Sequence, residues 1–457
     1  MSLMQTNEYG RALSSDERRQ AGDLHRRLAV ADVLTGTNAA AAPGAAAASR
    51  PAPVRGIDRA LAAALQRTLL PVGVRLELWD GSSPYTDERA AIGAIAVGDR
   101  RALIGLVLNP DLYFGEAYMA GRLRIEGGLE PVIEAISRLA APVPTWRERV
   151  LLRLASANTL AASRRNVHHH YDLGNEFYRL WLDEEMVYTC AYFPHPDATL
   201  EDAQRAKLDL VCRKVALRPG DTVVEAGCGW GALALHMARA YGARVRAFNI
   251  SREQIAYARE RAAREGLAGR VEFLEDDYRN VSGRCDVFVS VGMLEHVGRK
   301  HFSALADVIR RTLRPDGGRG LLHFIGRDAP YPLNAWIRRR IFPGAYTPTV
   351  AEVAREILEP ARMSVVDVEN LRLHYARTLA HWGARFARAA DQVRARYGEE
   401  FRRAWELYLA GSEAAFATGW LQLFQIVFTP GGSAPPFETR HDLYAMEPER
   451  AWPSSTR

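Results

Sequence analysis

A glycine-rich turn between an apolar segment and a helix-like segment constrains this chain more than any other feature. The apolar segment ends at Glu225, and three glycines then stand at alternate positions: Gly227, Gly229 and Gly231. Residues 232–240 have the composition of a helix. Glycines let the backbone approach a ligand that a Cβ atom would exclude, and the first turn of a helix offers it unpaired N–H groups. The pattern therefore predicts a strand, a tight turn and a helix at a ligand site.

Two classes of ligand suit such a turn, a dinucleotide and S-adenosylmethionine. The spacing satisfies the looser dinucleotide pattern G-x-G-x-x-A. That pattern also requires an acid about 20 residues further on, at the end of the next strand, to bind the ribose. The next predicted strand, 244–248, runs into Asn249, Ile250 and Ser251 instead. Because many S-adenosylmethionine sites also use an acid at this strand end, its absence weakens both interpretations.

The acid before the glycines favours S-adenosylmethionine. A carboxylate at Glu225 would repel a pyrophosphate, but it would attract a cofactor that carries an ammonium and a sulfonium. Asp276 and Asp277 follow a third predicted strand, 271–274, where an adenine amino group could be bound. We therefore expect S-adenosylmethionine as the cofactor.

Strands and helices alternate from Thr222 onward. The predicted strands are 222–225, 244–248, 271–274, 287–291 and 320–324, and the predicted helices are 232–240, 252–265 and 302–312. This alternation predicts an α/β fold with a doubly wound, mostly parallel sheet. Ligands bind at the carboxyl ends of the strands in such sheets. Four polar residues fall at or just after these ends: Glu225, Asp276, Glu295 and His323.

The segment before this sheet divides by composition. Residues 38–54 alternate alanine blocks with proline, which is typical of a linker, so residues 1–54 are predicted to be an N-terminal extension. Residues 55–145 are predicted to form a smaller α+β domain that docks on lipid. Strands are expected in it at 73–78 and 103–108.

Residues 146–457 form the predicted catalytic domain. Its tail, 349–430, is expected to be largely helical with a strand-like end at 421–428. The chain has four cysteines, and none forms a C-x-x-C pair. The consecutive histidines 168–170 would point to alternating faces of a strand, and no acid or cysteine follows them at ligand spacing. No metal site is predicted.

The net charge of +6 suits an anionic partner such as a phospholipid surface. Arg338–Arg340 lie between Trp336 and Ile341, and arginines around apolar anchors fit an anionic membrane surface. A solvated helix face explains them equally well, and no nucleic-acid module surrounds them. No apolar run approaches the length of a membrane span. We therefore expect a cytoplasmic protein with peripheral membrane contact and no nucleic-acid partner.

Three residues could carry chemistry, although each has a structural explanation as well. Glu295 leaves an apolar segment, and it could serve catalysis or satisfy N–H groups at a helix start. His323 lies inside an apolar strand, where a histidine is more often a core residue. Cys190 is interpreted, from the sequence alone, as a small buried hydrophobe.

Several segments in matching order resemble the cyclopropane-fatty-acyl-phospholipid synthase family, including its mycolic-acid-modifying relatives. The resemblance covers roughly residues 100 to 430. Its segments are 115–119, 166–178, 188–193, 225–231, 250–254, 290–298, 341–344 and 422–428. It implies the class I methyltransferase type of sheet with a smaller N-terminal domain.

The resemblance also implies specific site residues. In that family a bicarbonate ion serves as the base, and the matching positions here are Cys190, Glu295, His323, Tyr375 and the backbone of Ile325. Cys190 and His323 thereby change from core residues to site residues. The cofactor positions carried over are Tyr188, Thr189, Gly227, Gly229, Gln254 and Asp277.

The expected activity is transfer of a methylene unit from S-adenosylmethionine to the cis double bond of phospholipid acyl chains, which forms a cyclopropane. The motifs do not separate this from relatives that form a methyl-branched product or that methylate amines of small molecules. A lipid-binding protein without catalysis is the competing class, against which the complete set of site residues argues. Dimerisation stays an open alternative.

Overall fold

The computed structural model describes residues 52–87, 90–139 and 173–444. Nearly all of the predicted N-terminal extension and the three consecutive histidines lie outside these residues. The described part forms two units. The first comprises the residues before 140 together with Asn334–Trp336 and Arg394–Gly411, and the second comprises the rest.

The first unit contains a three-stranded sheet and helices. Its elements are α1 (Gly56–Leu69), β1 (Val74–Glu77), β2 (Gly93–Val97), α2 (Arg100–Leu108), α3 (Pro110–Met119), β3 (Leu123–Glu126) and α4 (Leu129–Ser137). The strand order is β1-β2-β3, with β1 parallel to β2 and β3 antiparallel to it. The strand expected at 73–78 is confirmed as β1.

The strand expected at 103–108 is wrong, because these residues belong to helix α2. The side chain of Asp99 accepts a hydrogen bond from the N–H of Ala102 at 2.7 Å and so caps the helix start. The apolar residues Leu103 and Leu106 are buried three positions apart, which is helical spacing. Asn109 then caps α3 through the N–H of Leu112.

The segment 115–119 packs against an aromatic ring within the first unit. A Cβ atom at Gly115 would lie 2.4 Å from the ring of Trp336. Trp336 is buried and donates from its indole N–H to the sulfur of Met119 at 3.1 Å. Trp336 and Ile341, which flank the arginines, are both buried, whereas Arg338–Arg340 are exposed.

The second unit is built on a seven-stranded sheet. Its strands are β4 (Thr222–Ala226), β5 (Arg244–Asn249), β6 (Val271–Glu275), β7 (Val287–Val291), β8 (Arg319–Gly326), β9 (Met363–Asn370) and β10 (Gln422–Pro430). The order is β6-β5-β4-β7-β8-β10-β9. The first five strands are parallel, and β10 runs antiparallel to both β8 and β9. The predicted fold class is confirmed.

The helices of the second unit connect or flank these strands. They are α5 (Asn175–Arg179), α6 (Leu200–Lys214), α7 (Ala232–Tyr241), α8 (Arg252–Arg264), α9 (Leu294–Val297), α10 (Phe302–Thr312), α11 (Ala335–Arg340, which begins in the first unit), α12 (Val350–Val353), α13 (Arg372–Arg388), α14 (Ala390–Tyr397, divided between the units), α15 (Glu399–Thr418, also divided) and α16 (His441–Tyr444). Short 3-10 turns lie at Leu70–Val72, Tyr278–Asn280 and Arg299–His301, and a π-helical turn lies at Ala354–Leu358.

Helices cover both faces of the sheet. Successive strand residues point to opposite faces, and Val223 packs in a buried cluster with Leu233 of α7, whereas Val224 packs in another with Ile309 of α10. Among the residues that the structure describes, no helix is long and apolar enough to cross a membrane.

The tail 349–430 is largely helical, as expected, and its strand-like end at 421–428 is confirmed as β10. Strand β9 was not predicted, because it lies at the sheet edge with several exposed residues and no regular apolar alternation. One expectation about the second unit is wrong. His323 is not at a strand end, since β8 continues to Gly326. It pairs instead with Val291, the last residue of β7.

Replacement of Gly320 should destabilise the pairing of β8 with β10. A Cβ atom there would lie 2.2 Å from the ring of Phe428, the residue opposite it in β10. We expect Gly320→Ala to lower the free energy of unfolding by about 1–3 kcal/mol, measured by urea unfolding. Gly269→Ala is the control, because a Cβ there meets nothing within 4 Å. Equal midpoints for the two variants would contradict the packing.

Candidate active site

A cleft lies at the carboxyl ends of β4, β5, β6 and β7, within the second unit. The glycine turn after β4 forms part of its wall. Eight of the residues expected to bind the cofactor line it: Tyr188, Thr189, Glu225, Gly227, Gly229, Gln254, Asp276 and Asp277. The fold therefore brings together residues from four separate sequence segments.

The three glycines of the turn have different surroundings, although all have positive φ angles. A Cβ at Gly229 would meet no protein atom within 4 Å, so this position opens onto the cleft. A Cβ at Gly227 would lie 2.8 Å from the side chain of Met293. Gly231 does not line the cleft, because a Cβ there would lie 2.6 Å from the ring of Phe273. Gly231 thus allows close helix–strand packing rather than facing the cleft.

An amide network occupies the end of β5, where the sequence lacks an acid. Asn249 donates from its side-chain amide to the Gln254 side chain at 2.7 Å and to the carbonyl of Gly229 at 3.3 Å. Ser251 accepts from the N–H of Gln254 at 3.5 Å as α8 begins. The network holds Gln254 beside the glycine turn. Asn249 was not among the expected site residues, although a polar residue at a strand end was a usable signal.

Glu225 is buried at the cleft with one oxygen unpaired. Its Oε2 atom has no hydrogen-bond partner among the described residues. Burial raises the pKa of Glu225 to about 8, while the positive charge of Lys207 and the N–H of Ala234 lower it. Lys207, on α6, also lines the cleft and donates to the Thr189 hydroxyl at 2.9 Å. Lys207 was missed, although a cation on the apolar face of a helix was visible in the sequence.

The two aspartates after β6 are held by local partners. Asp277 is buried and accepts two hydrogen bonds from the guanidinium of Arg279, at 2.7 and 2.9 Å, and one from its backbone N–H at 3.0 Å. Asp276 accepts from the N–H of Asp277 and from the Asn280 amide, each at 2.7 Å. Both residues keep fixed positions at the cleft.

Aromatic rings fix the segment that carries Tyr188. The centroid of its ring lies 5.2 Å from that of Trp181 and 5.3 Å from that of Trp382. Tyr178 packs on both Tyr188 and Trp230, and Trp230 donates from its indole to Asn175 at 2.7 Å. The described part of the segment 166–178 therefore supports the cleft by packing.

The five residues expected to act in catalysis do not line this cleft. Glu295 is buried and its Oε1 accepts a hydrogen bond from the N–H of Ile325 at 2.6 Å. Its Oε2 atom has no hydrogen-bond partner among the described residues. Burial raises the pKa of Glu295 to about 7, against the opposing effect of the Ile325 N–H. A large fraction of this carboxyl is therefore protonated near neutral pH.

His323 is neutral and has one unpaired nitrogen. Burial, together with the positive charges of Lys207 and Lys214, holds the pKa of His323 well below its usual range. The side-chain amide nitrogen of Gln425, on β10, lies 3.1 Å from Nδ1 of His323, and a hydrogen bond donated there by the amide would place the ring proton on Nε2. That Nε2 atom is buried without a partner among the described residues. Gln425 was missed, although a glutamine in an apolar strand was a visible signal.

Backbone contacts link Cys190 and Tyr375 to this group. The thiol of Cys190 lies 3.8 Å from the carbonyl of Leu371, which also accepts from the N–H of Tyr375 at 3.1 Å. The N–H of Leu371 donates to Leu423, the residue paired with Ile325 across β8 and β10. Burial raises the pKa of Cys190 well above its usual range, so the residue stays a thiol rather than a nucleophilic thiolate.

No group of three or more histidine, cysteine, aspartate or glutamate side chains that could hold a metal ion occurs within residues 52–87, 90–139 and 173–444.

A family model described as mycolic acid cyclopropane synthetase matches residues 158–426, which is more than half of the chain. The chain belongs to this family. Its members are S-adenosylmethionine-dependent enzymes of lipid modification. A second model, described as a domain of unknown function (DUF7884), matches residues 63–144.

Two curated relatives match this chain over different lengths. A probable fatty acid methyltransferase of Pseudomonas putida is 37% identical over 83% of this chain and 98% of its own length. The cyclopropane-fatty-acyl-phospholipid synthase of Escherichia coli (strain K12) is 41% identical over 57% of this chain and 67% of its own. The solved mycolic acid cyclopropane synthase CmaA1, in complex with SAH and CTAB, is 31% identical over 58% of this chain and 97% of its own, with a TM-score of 0.55.

Gly229 is expected to be required for binding of S-adenosylhomocysteine. Gly229 has a φ of 53° and opens onto the cleft, so a side chain there would occupy ligand space. We expect Gly229→Val to remove detectable binding of S-adenosylhomocysteine in calorimetry while the protein stays folded. Gly266→Val is the matched control, since Gly266 has a φ of 68° and open space around it but lies outside the cleft. If both variants bind normally, the turn does not face the ligand.

Proposed function

We propose that this enzyme transfers a one-carbon unit from S-adenosylmethionine to the cis double bond of an unsaturated phospholipid acyl chain and closes a cyclopropane ring. The observation that carries the proposal is the pair of buried polar atoms without partners, Glu295 Oε2 and His323 Nε2. Buried polar atoms are normally hydrogen-bonded. Both residues are tied to β8, since His323 lies on it and Glu295 accepts from the N–H of Ile325. Two such atoms suit a small polar ligand that acts in the reaction.

The chemistry requires both an electrophile and a base. An alkene is a weak nucleophile, and methyl transfer to it leaves a carbocation. Removal of a proton from the new methyl group then closes the ring. When bound, S-adenosylmethionine would supply the electrophilic methyl group and bicarbonate would supply the base. The protein's part is to orient these groups and to keep water away from the cation.

The residues of the cleft fit the cofactor. Glu225 would bind the ammonium of its methionine end as a carboxylate, and the positive charge of that ammonium would lower the raised pKa of Glu225. The open backbone at Gly229 would approach the ligand, with Gly227 beside it. Gln254 and Asp277 would meet the nucleoside. Tyr188, Thr189 and Asp276 complete the proposed contacts, while Gly231 supports the turn.

The group around β8 fits an anion such as bicarbonate. A protonated Glu295 can donate from Oε2, and His323 can donate from Nε2. A charged Glu295 would repel an anion, so its raised pKa favours binding. The neutral thiol of Cys190 and the ring of Tyr375 would complete the site, and Ile325 would orient Glu295 through its N–H.

A second candidate function is methylation of the acyl chain with a methyl-branched product. It is favoured by the Pseudomonas putida relative, which is described as a probable fatty acid methyltransferase and matches over 98% of its length. The proposed residues would serve both reactions, because the two differ in which carbon loses the proton. Methylation of a small-molecule amine is a further outcome of the test.

Peripheral binding to an anionic membrane surface in the cytoplasm is part of the proposal. Arg338–Arg340 are exposed, and exposed arginines attract anionic lipid headgroups. The role of residues 55–145 as a lipid-docking domain and of 146–457 as the catalytic domain belongs to the same proposal.

The product decides between the candidate functions. Purified protein would be incubated with S-adenosylmethionine and vesicles of unsaturated anionic phospholipid, and proton NMR of the released acyl chains would be recorded before and after mild hydrogenation. Upfield ring protons that survive hydrogenation are expected. A branched methyl signal without ring protons would establish the methyltransferase instead. No added carbon would exclude both lipid activities and direct the search to amines.

Glu295 is expected to be needed for turnover but not for cofactor binding. Glu295→Gln keeps the size of the side chain but removes its ability to exchange a proton. We expect turnover on vesicles to fall by about 10²- to 10⁴-fold, measured by product NMR. Calorimetry with S-adenosylhomocysteine serves as the control and should give an unchanged affinity. Full turnover in the variant would remove Glu295 from the site.

A further inference from the structure

Lys207 is a buried cation that the proposed reaction leaves without a role. It is 2% exposed on α6, and its Nζ donates to the Thr189 hydroxyl at 2.9 Å in the cleft. Among the described residues, no carboxylate lies within 4.0 Å of it, and Thr189 is the one acceptor of its three N–H groups. Lys214, seven residues further along the same helix, is equally buried but forms an ion pair with Glu369.

A buried ammonium without an ion-pair partner is costly, because it has lost its water while Asp183 and Glu225 act on it only from beyond ion-pair distance. Lys214 shows that the helix can bury a lysine against a carboxylate. Lys207 instead faces a cleft that a ligand can enter, with two N–H groups available. An anionic group of the ligand would provide the missing partner.

The same cleft contains a charge of the opposite sign. Glu225 is 2% exposed, and its Oε2 atom lacks a partner among the described residues. Lys207 is near enough to lower the pKa of Glu225 electrostatically, although the two do not form an ion pair within 4.0 Å. The ammonium of Lys207 could bind the carboxylate of an amino acid, and the separate carboxylate of Glu225 could bind its ammonium.

We propose that Lys207, together with the hydroxyl of Thr189, binds the carboxylate of the cofactor's methionine end while Glu225 binds its ammonium. The cleft then recognises an amino-acid zwitterion as well as a nucleoside. This inference rests on the proposed use of S-adenosylmethionine. If the inference is correct, Lys207 makes the cleft prefer nucleosides that carry the amino acid to nucleosides that lack it.

The test compares two ligands that differ in the amino acid. S-adenosylhomocysteine carries it, and 5′-methylthioadenosine lacks it. We expect Lys207→Met to weaken S-adenosylhomocysteine binding by about 10- to 100-fold, and to leave the affinity for 5′-methylthioadenosine unchanged. Calorimetry measures both. Lys214→Met is the matched control, because it removes an equally buried lysine of the same helix from outside the cleft, and it should change neither affinity.

A second pair of variants keeps the test decisive if Lys207→Met does not fold. Thr189→Val removes the hydroxyl but keeps the shape of the side chain, and it should weaken S-adenosylhomocysteine alone. Thr189→Ser keeps a hydroxyl and should retain most of that affinity. If position 189 had only a steric role, valine, which has the shape of threonine, would retain the affinity for S-adenosylhomocysteine better than serine.

Each other outcome overturns the inference. Equal losses for both ligands would assign Lys207 a structural role. Lys207→Met could instead leave the affinity for S-adenosylhomocysteine unchanged and raise the bicarbonate concentration that turnover requires. That result would mean that Lys207 serves the proposed bicarbonate near His323. If the unaltered protein binds neither ligand, the proposed function itself is wrong. If the unaltered protein binds both ligands and Lys207→Met does not discriminate between them, only the role assigned to Lys207 is wrong.

Discussion

The antiparallel pairing of β10 with β8 is the contact on which the candidate active site depends. It places the Gln425 amide against His323 over 3.1 Å and aligns Leu423 with Ile325. Ile325 in turn donates its N–H to Glu295. A shift of one residue in this pairing would turn each of these side chains to the other face of the sheet. The register therefore positions the polar atoms that the reaction is proposed to use.

Unpartnered buried polar atoms mark both parts of the site. Glu225 lies at the cleft, whereas Glu295 lies on α9 and His323 lies on β8. Such atoms oppose folding unless a ligand satisfies them. These atoms belong to buried residues, and burial strengthens electrostatic interactions with a bound ligand. Binding of ligands and stability of the second unit are thereby coupled.

Much of the second unit could be predicted from the sequence, because the strands of its parallel part have apolar runs of regular length between helical segments. The first unit was harder to predict. Helix α2 was mistaken for a strand, since a short apolar run does not distinguish the two and the decisive signal was the cap at Asp99. Strand β9 was missed because an edge strand needs no buried alternation. The burial of Trp336 was not predicted, because it depends on packing against Gly115, which is distant in sequence.

By itself the sequence determined the strand–glycine turn–helix unit, the doubly wound sheet and the order of the family's motifs, since these depend on local spacing along the chain. Only the tertiary structure decided which side chains meet. Lys207 reaches Thr189 across 18 residues, Glu295 reaches Ile325 across 30, and Gln425 reaches His323 across 102. Such contacts depend on how helices and strands pack, and so does the burial that raises the pKa values of Glu225 and Glu295.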